Sequence, residues 1–162
     1  MYQPNDSLIS VEAELPMRWF RFLTRFGLWI AGIGMMIVGC VILLGFQYLL
    51  VGIDPSVLYM QNQALLIADF AYGLVCIGIG ICCIVTRFRL AQFRRSSPML
   101  VYITHAMLVL TPMIYTIFSG ICIGESLSDI LSLQLTAQLA GLAAGIVLHV
   151  IYFKKRSHLF IE

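Results

Sequence analysis

Four long stretches of this chain are apolar and almost free of charge, and they constrain the fold more than any other feature. They cover residues 26–50, 65–86, 99–121 and 130–153, and Asp69 is the only charged residue within them. A helix of roughly 20 residues crosses the hydrocarbon of a bilayer, whereas a charge at its centre costs about 2.5 to 3.5 kcal/mol. The stretches therefore predict four membrane-spanning helices, with Asp69 in the first turn of the second, at the interface.

The composition excludes a soluble domain. Of the 162 residues, 60% are hydrophobic and 11% are charged, and the mean hydropathy is +0.95. Soluble domains are about 45 to 50% apolar and about 25% charged. A net charge of +2 gives no support for a nucleic-acid partner. We therefore expect residues 1–162 to form a single membrane domain, an all-α four-helix bundle with up-down topology.

The basic residues predict the orientation, because each of the ten precedes span 1, lies between spans 2 and 3, or follows span 4. They are Arg18, Arg21, Arg25, Arg87, Arg89, Arg94, Arg95, Lys154, Lys155 and Arg156. The other side carries only acidic residues, the outer acids, which are Asp54, Asp69, Glu125 and Asp129. The positive-inside rule then places both termini in the cytoplasm and the chain in the cytoplasmic membrane as a multi-pass protein.

The segment before span 1 has two parts. Residues 1–14 are polar and predict a mobile cytoplasmic tail. Residues 15–25 place Arg18, Arg21 and Arg25 among aromatic and aliphatic residues, a pattern typical of an amphipathic helix in the headgroup region. This helix either anchors span 1 or recognises an anionic lipid or a partner. No small-residue cleavage site follows the first apolar stretch, so we expect the segment to stay attached.

Small and polar residues indicate which helix faces pack together, because helices in a bilayer associate through close approach and hydrogen bonds. Span 4 has the longest such face, made of Gln134, Ala137, Gln138, Gly141, Gly145 and His149. This face packs within the chain or forms a dimer contact. The corresponding faces of spans 1, 2 and 3 are Gly27, Ala31 and Gly34; Gly73, Cys76 and Gly80; and His105, Pro112, Tyr115 or Thr116, and Ser119.

His105 and His149 are the residues best suited to chemistry. At 1.5 Å per residue, both lie about 7 to 10 Å from the cytoplasmic ends of consecutive, antiparallel helices. Two facing histidines can hold a haem iron, with room at Gly145 for a flat ring, or can join Cys82 or Cys83 in a metal or proton-handling site. The plainer interpretation is a neutral histidine bonded to a carbonyl or a tyrosine. We expect no cofactor, and haem or a metal at this pair is the alternative.

The remaining polar residues each have two interpretations. The outer acids bind a hard cation such as calcium, or they only mark the side opposite the basic residues and cap helices. Gln134 and Gln138 line a polar pathway or bond to neighbouring helices. Five cysteines without a C-x-x-C spacing predict free buried thiols. The sequence contains no catalytic or nucleotide-binding motif, so an enzyme is not favoured.

Two cytoplasmic segments carry a resemblance. Residues 86–93 read TRFRLAQF and are followed by RRSSP, and residues 152–160 read YFKKRSHLF. They are similar to a group of small, uncharacterised bacterial four-span membrane proteins with a TRFRLA-like inner loop and a YFKKR-HLF-like C-terminus. The resemblance implies a four-span fold and no activity. The basic residues of the two segments, the basic rim, are Arg87, Arg89, Arg94, Arg95, Lys154, Lys155 and Arg156. They serve as positive-inside anchors, or they bind lipid phosphates or a protein.

These observations favour a non-enzymatic membrane component. It would be a scaffold, accessory or regulatory subunit whose partners are lipid, a second copy of the chain or another membrane protein. The first alternative is a redox or metal-binding bundle that uses His105 and His149. The second alternative is a small transporter or channel with a path along Gln138 and His149.

Overall fold

The described part of the chain is helical. The computed structural model describes residues 18–92, 96–124 and 133–155, and the side chains of the last segment from residue 136 onward. Within these residues the helices are α1 Arg18–Leu43, α2 Phe46–Leu49, α3 Pro55–Gln61, α4 Gln63–Ala91, α5 Ser97–Ile123 and α6 Leu133–Lys154. Four helices, α1, α4, α5 and α6, are long and apolar enough to cross a membrane. The predicted all-α fold with four such helices is confirmed.

The first long helix ends earlier than predicted. It stops at Leu43 instead of near residue 50, and Gly45 follows with a positive φ of 67°. Glycine adopts this left-handed conformation without a Cβ clash and commonly ends helices. The chain then folds into α2 and α3, so the connection to α4 contains two short helices. The helices α4, α5 and α6 coincide with the other predicted spans apart from a few terminal residues.

The predicted interfacial helix over residues 15–25 is continuous with the first long helix from residue 18 onward. Leu23–Gly27 is a π-helical turn that joins Arg18–Phe22 to Leu28–Leu43. A π-helical turn is wider than an α-helical turn but does not interrupt the helix, so the basic N-terminal residues extend α1. The tail over residues 1–14 lies outside the described residues.

Glycines form the seam between α1 and α4. A Cβ on Gly39 would lie 2.6 Å from the Gly73 carbonyl oxygen, and a Cβ on Gly80 would lie 2.7 Å from the Gly32 carbonyl oxygen. Real side chains do not tolerate such distances, so the backbones approach this closely only with glycine at the seam. Since an earlier glycine of α1 meets a later glycine of α4, the two helices are antiparallel.

The seam uses the predicted face of α4 and a different face of α1. The buried residues of α4 include Gly73, Cys76 and Gly80. In α1 the buried glycines are Gly32 and Gly39, whereas a Cβ on Gly34 would meet nothing within 4 Å. The packed face is therefore not the one predicted from Gly27, Ala31 and Gly34. Because Leu28–Leu43 of α1 is apolar on all sides, its hydrophobic pattern could not distinguish the faces.

The main apolar cluster lies where the basic residues are, at what we call the basic end of the bundle. Its members are Phe20, Leu23, Leu28, Leu90, Val101 and Phe153. The Phe20 N–H donates to the Tyr152 hydroxyl over 3.2 Å, so α6 contacts α1 at this end. Otherwise each long helix packs mainly on the next one in the chain.

Candidate functional site

The structure brings His105 of α5 and His149 of α6 together in the half of the bundle nearer the basic end. Their ring centroids are 5.3 Å apart, with 46° between the ring planes. His149 is buried and its Nδ1 lies 2.6 Å from the Gly145 carbonyl oxygen. The ring centroids of Trp19 and Phe153 lie 6.0 and 6.3 Å from the centroid of the His149 ring. The similar depth predicted for the two histidines corresponds to direct ring contact.

The space that Gly145 leaves is filled by the His105 ring. A Cβ at this position would overlap His105 Nε2. Haem held axially by two histidines needs one nitrogen of each ring to face the iron across a flat macrocycle. Here His105 Nε2 lies against the Gly145 backbone and His149 Nδ1 is bonded to the same residue. The pair therefore does not fit a haem between its rings.

The two cysteines predicted at this depth lie away from the histidines. Cys83 is buried, with its Cβ 3.2 Å from the position that a Cβ on Gly32 would take, and Cys82 is exposed. Over residues 18–92, 96–124 and 133–155, no three His, Cys, Asp or Glu side chains are grouped to hold a metal. The alternative set of two ring nitrogens and a thiol is not grouped among the described residues.

A cavity of about 330 Å³ lies between α5 and α6 beside His105. Its other lining residues are Leu108, Val109, Pro112, Gln138 and Gly141. His105 Nε2 and Gln138 Oε1 are buried there and have no hydrogen-bond partner in the described part of the chain. A buried polar atom without a partner costs about 1 to 3 kcal/mol. The described residues thus leave these two polar atoms unsatisfied in this cavity.

One part of the predicted packing face of α6 contacts α5, and another part is exposed. Gly145 contacts His105, whereas a Cβ on Gly141 would meet nothing within 4 Å. Ala137 and Gly141 are exposed, and Gln138 is partly buried. The side chain of Gln134 lies outside the described residues. Part of the face therefore packs within the chain, and at Gly141 no described residue covers it.

A second polar site surrounds Asp69 at the end opposite the basic residues. Asp69 lies in the second turn of α4, one turn later than predicted, and is 1% exposed. Oδ2 accepts from Gln47 Nε2, the Tyr48 hydroxyl and the Tyr59 hydroxyl over 3.1, 2.8 and 2.8 Å. Oδ1 accepts from the Tyr115 hydroxyl over 2.7 Å. We call these five residues the Asp69 cage.

Helix caps position the elements of the cage. Asp54 begins α3, and its Oδ1 accepts from the N–H and the hydroxyl of Ser56 over 2.9 and 2.7 Å. Asn62 begins α4, and its Oδ1 accepts from the Leu65 N–H over 3.1 Å. The side-chain amide of Asn62 also donates to the Cys122 carbonyl, which ties α4 to α5. These caps hold three helices in the arrangement that encloses Asp69.

Burial and the Asp69 carboxylate affect the cage tyrosines that lie outside the long helices. Burial is the main cause that raises the pKa of Tyr48 and of Tyr59, and the neighbouring Asp69 raises both further. Loss of either hydroxyl proton would place two negative charges side by side, so both hydroxyls remain donors at neutral pH. At the exposed cap, hydrogen bonds from Ser56 lower the pKa of Asp54.

The outer acids were expected either to bind a cation together or to serve topology and capping. Asp54 is exposed and caps α3, and Asp69 is enclosed in its cage, so these two do not form a shared carboxylate site. Glu125 and Asp129 lie outside the described residues. The sequence signal for the cage was Asp69 itself, an acid inside an apolar stretch with tyrosines near the same helix ends.

One residue of the basic rim has partners of its own. Arg87 Nε donates to the Thr24 carbonyl over 3.0 Å. Its guanidinium carbon lies 5.1 Å and 4.8 Å from the ring centroids of Trp29 and Phe88. Arg87 therefore ties α4 to α1 through a hydrogen bond and cation–π contacts. Arg89, Lys154 and Lys155 are exposed. The rest of the rim, Arg94, Arg95 and Arg156, lies outside the described residues.

Comparison with protein families, with curated proteins and with solved structures finds no match for this chain.

Proposed function

We propose that the protein is a non-enzymatic, multi-pass component of the cytoplasmic membrane that associates with another membrane helix through α6. Both termini would lie in the cytoplasm, since the basic residues gather at one end. Large apolar side chains are exposed along all four long helices, among them Ile30, Phe70, Ile114 and Val147. Lipid covers such surfaces at no cost, whereas water does not.

One face of α6 carries the proposal. Ala137, Ala140, Gly141 and Ala144 follow one another at steps of three, one and three residues, so they lie on one side of the helix. All four are exposed. The exposed faces of α1, α4 and α5 carry large hydrophobic side chains instead. We call these four residues the small-residue face.

A small-residue face allows a second helix to approach closely. In lipid, burying apolar surface gives helices no net gain, so close packing and hydrogen bonds drive their association. Gln138 lies next to the face, and its Oε1 is buried without a partner among the residues that the structure describes. A donor on an incoming helix would satisfy this oxygen. Both features support association in the membrane.

The substitution Gly141→Leu tests the proposal, because a leucine side chain would fill the space in front of the small-residue face. We expect cross-linking in native membranes to recover about tenfold less of the associated form, which corresponds to about 1.4 kcal/mol. Gly78→Leu is the matched control, since Gly78 is an exposed glycine of α4 whose Cβ would also meet nothing within 4 Å. The proposal fails if Gly141→Leu cross-links as well as the wild type does.

A further inference from the structure

Among the described residues, the carboxylate in the Asp69 cage has hydrogen-bond donors but no positively charged partner. Its four donors are all uncharged side chains. The first basic residue that follows on α4 is Arg87, which is about 27 Å away at 1.5 Å per residue. An ionised carboxylate removed from water is stable only when charge or strong hydrogen bonds compensate it. The donors of the cage supply the hydrogen bonds, but they supply no positive charge.

The hydrogen-bonding capacity that remains free around the carboxylate consists of acceptor lone pairs. A tyrosine hydroxyl has one hydrogen, and those of Tyr48, Tyr59 and Tyr115 all point to Asp69. The phenolic oxygens therefore keep only lone pairs. Oδ1 accepts one hydrogen bond, whereas Oδ2 accepts three. In addition, Gln47 Oε1 is buried without a partner among the described residues. Carboxylate, amide and hydroxyl oxygens are the ligands that hard cations take.

The single carboxylate decides the charge of the cation. One negative charge is neutralised by one monovalent ion, whereas a divalent ion would leave an uncompensated positive charge in apolar surroundings. Calcium sites usually collect several carboxylates, and the cage has one. The chemistry therefore favours an alkali-metal ion.

A surface cavity lies next to the cage, at the end opposite the basic residues. A cavity of about 480 Å³ is lined there by Ser56, Tyr59, Met60, Gln63, Leu66 and Ile67. Tyr59 belongs both to this cavity and to the cage, because it lines the cavity and its hydroxyl donates to Asp69 Oδ2.

We propose that the Asp69 cage binds one alkali-metal cation, Na⁺ or K⁺, through Asp69, Gln47 Oε1 and the phenolic oxygens. The bound ion joins α2 and α3 to α4 and α5. This site is independent of the association proposed for α6, because the two share no residue.

Thermal unfolding of the full chain in detergent tests the site. The unfolding midpoint is measured by circular dichroism in NaCl, KCl and N-methyl-D-glucamine chloride at equal ionic strength and neutral pH. We expect it to rise with the logarithm of the Na⁺ or K⁺ concentration, because the ion binds only the folded chain. Equal midpoints in the three salts would overturn the proposal. So would a midpoint that depends on ionic strength but not on the identity of the cation.

Two variants show whether the ion acts at the cage. Asp69→Asn should abolish the dependence on Na⁺ or K⁺, whereas Asp54→Asn, which changes the exposed acid at the same end, should keep it. If Asp69→Asn does not fold, Gln47→Leu replaces it, and equilibrium binding of radioactive sodium or rubidium is measured. We expect one ion per wild-type chain and about tenfold weaker binding to Gln47→Leu. Unchanged binding by the variant would exclude the cage.

Discussion

Gly145 decides what the two histidines touch. Without a Cβ at this position, the His105 ring lies directly on the α6 backbone. His149 is one turn further along α6, and its Nδ1 bonds to the Gly145 carbonyl oxygen over 2.6 Å. One glycine thus provides a surface for the first imidazole and an acceptor for the second, which gives the pair a structural role.

Gly145→Ala should destabilise the bundle, because the added methyl group overlaps the His105 ring. We expect a loss of about 1 to 3 kcal/mol, the usual effect of overpacking. Gly78→Ala is the control, since it adds the same group where nothing lies within 4 Å, and it should be neutral or stabilising by roughly 0.5 to 1 kcal/mol. Thermal unfolding in detergent measures both variants. Equal midpoints for the two would refute the ring contact.

At the scale of elements, α2 and α3 depend on the Asp69 cage. They have 4 and 7 residues, and helices this short are not stable alone in water. Gln47 and Tyr48 of α2 and Tyr59 of α3 donate to the same carboxylate oxygen. The T-shaped contact of the two tyrosine rings, 5.7 Å between centroids, joins the helices to each other.

Alkaline pH should therefore loosen α2 and α3. Burial and Asp69 raise the pKa of Tyr48 and Tyr59 above the ordinary value of about 10, so the folded chain holds these protons more tightly than the unfolded chain does. Their contribution to stability is complete below about pH 10 and is lost as the pH rises toward the folded pKa. Unfolding midpoints of the wild type and of Tyr59→Phe across this range provide the measurement. The wild type should lose more stability than the variant, and parallel curves would contradict this account.

At the scale of the whole molecule, charge is separated along the bundle. Of the described basic residues, all lie at the basic end, on α1, α4 and α6 or directly after α6. The described acids, Asp54 and Asp69, lie toward the other end. This polarity is the basis for placing the basic end in the cytoplasm.

Labelling with a membrane-impermeant thiol reagent should reveal this orientation in intact cells. In a background with all five cysteines replaced by alanine, Val57→Cys should react from outside, since Val57 is exposed on α3. Lys155→Cys at the basic end should react only after the membrane is permeabilised. The reverse pattern, or reaction of both positions in intact cells, would disprove the orientation.

The four long apolar helices and the clustering of basic residues follow from the sequence, because hydropathy and charge are properties of each segment by itself. The similar depth of His105 and His149 follows in the same way from the regular rise of a helix. Their contact does not follow, because it depends on how α5 and α6 rotate against each other.

Helix packing decided which faces are in contact and what surrounds Asp69, because packing depends on residues that are distant in sequence. On the apolar segment Leu28–Leu43 of α1, glycine spacing pointed to Gly34, whereas the position of α4 selected Gly32 and Gly39. Likewise, Asp69 looked like an interfacial acid until the chain beyond Gly45 folded over it and brought in donors from three other helices. A buried carboxylate is defined by what surrounds it, and only the tertiary structure assembles those surroundings.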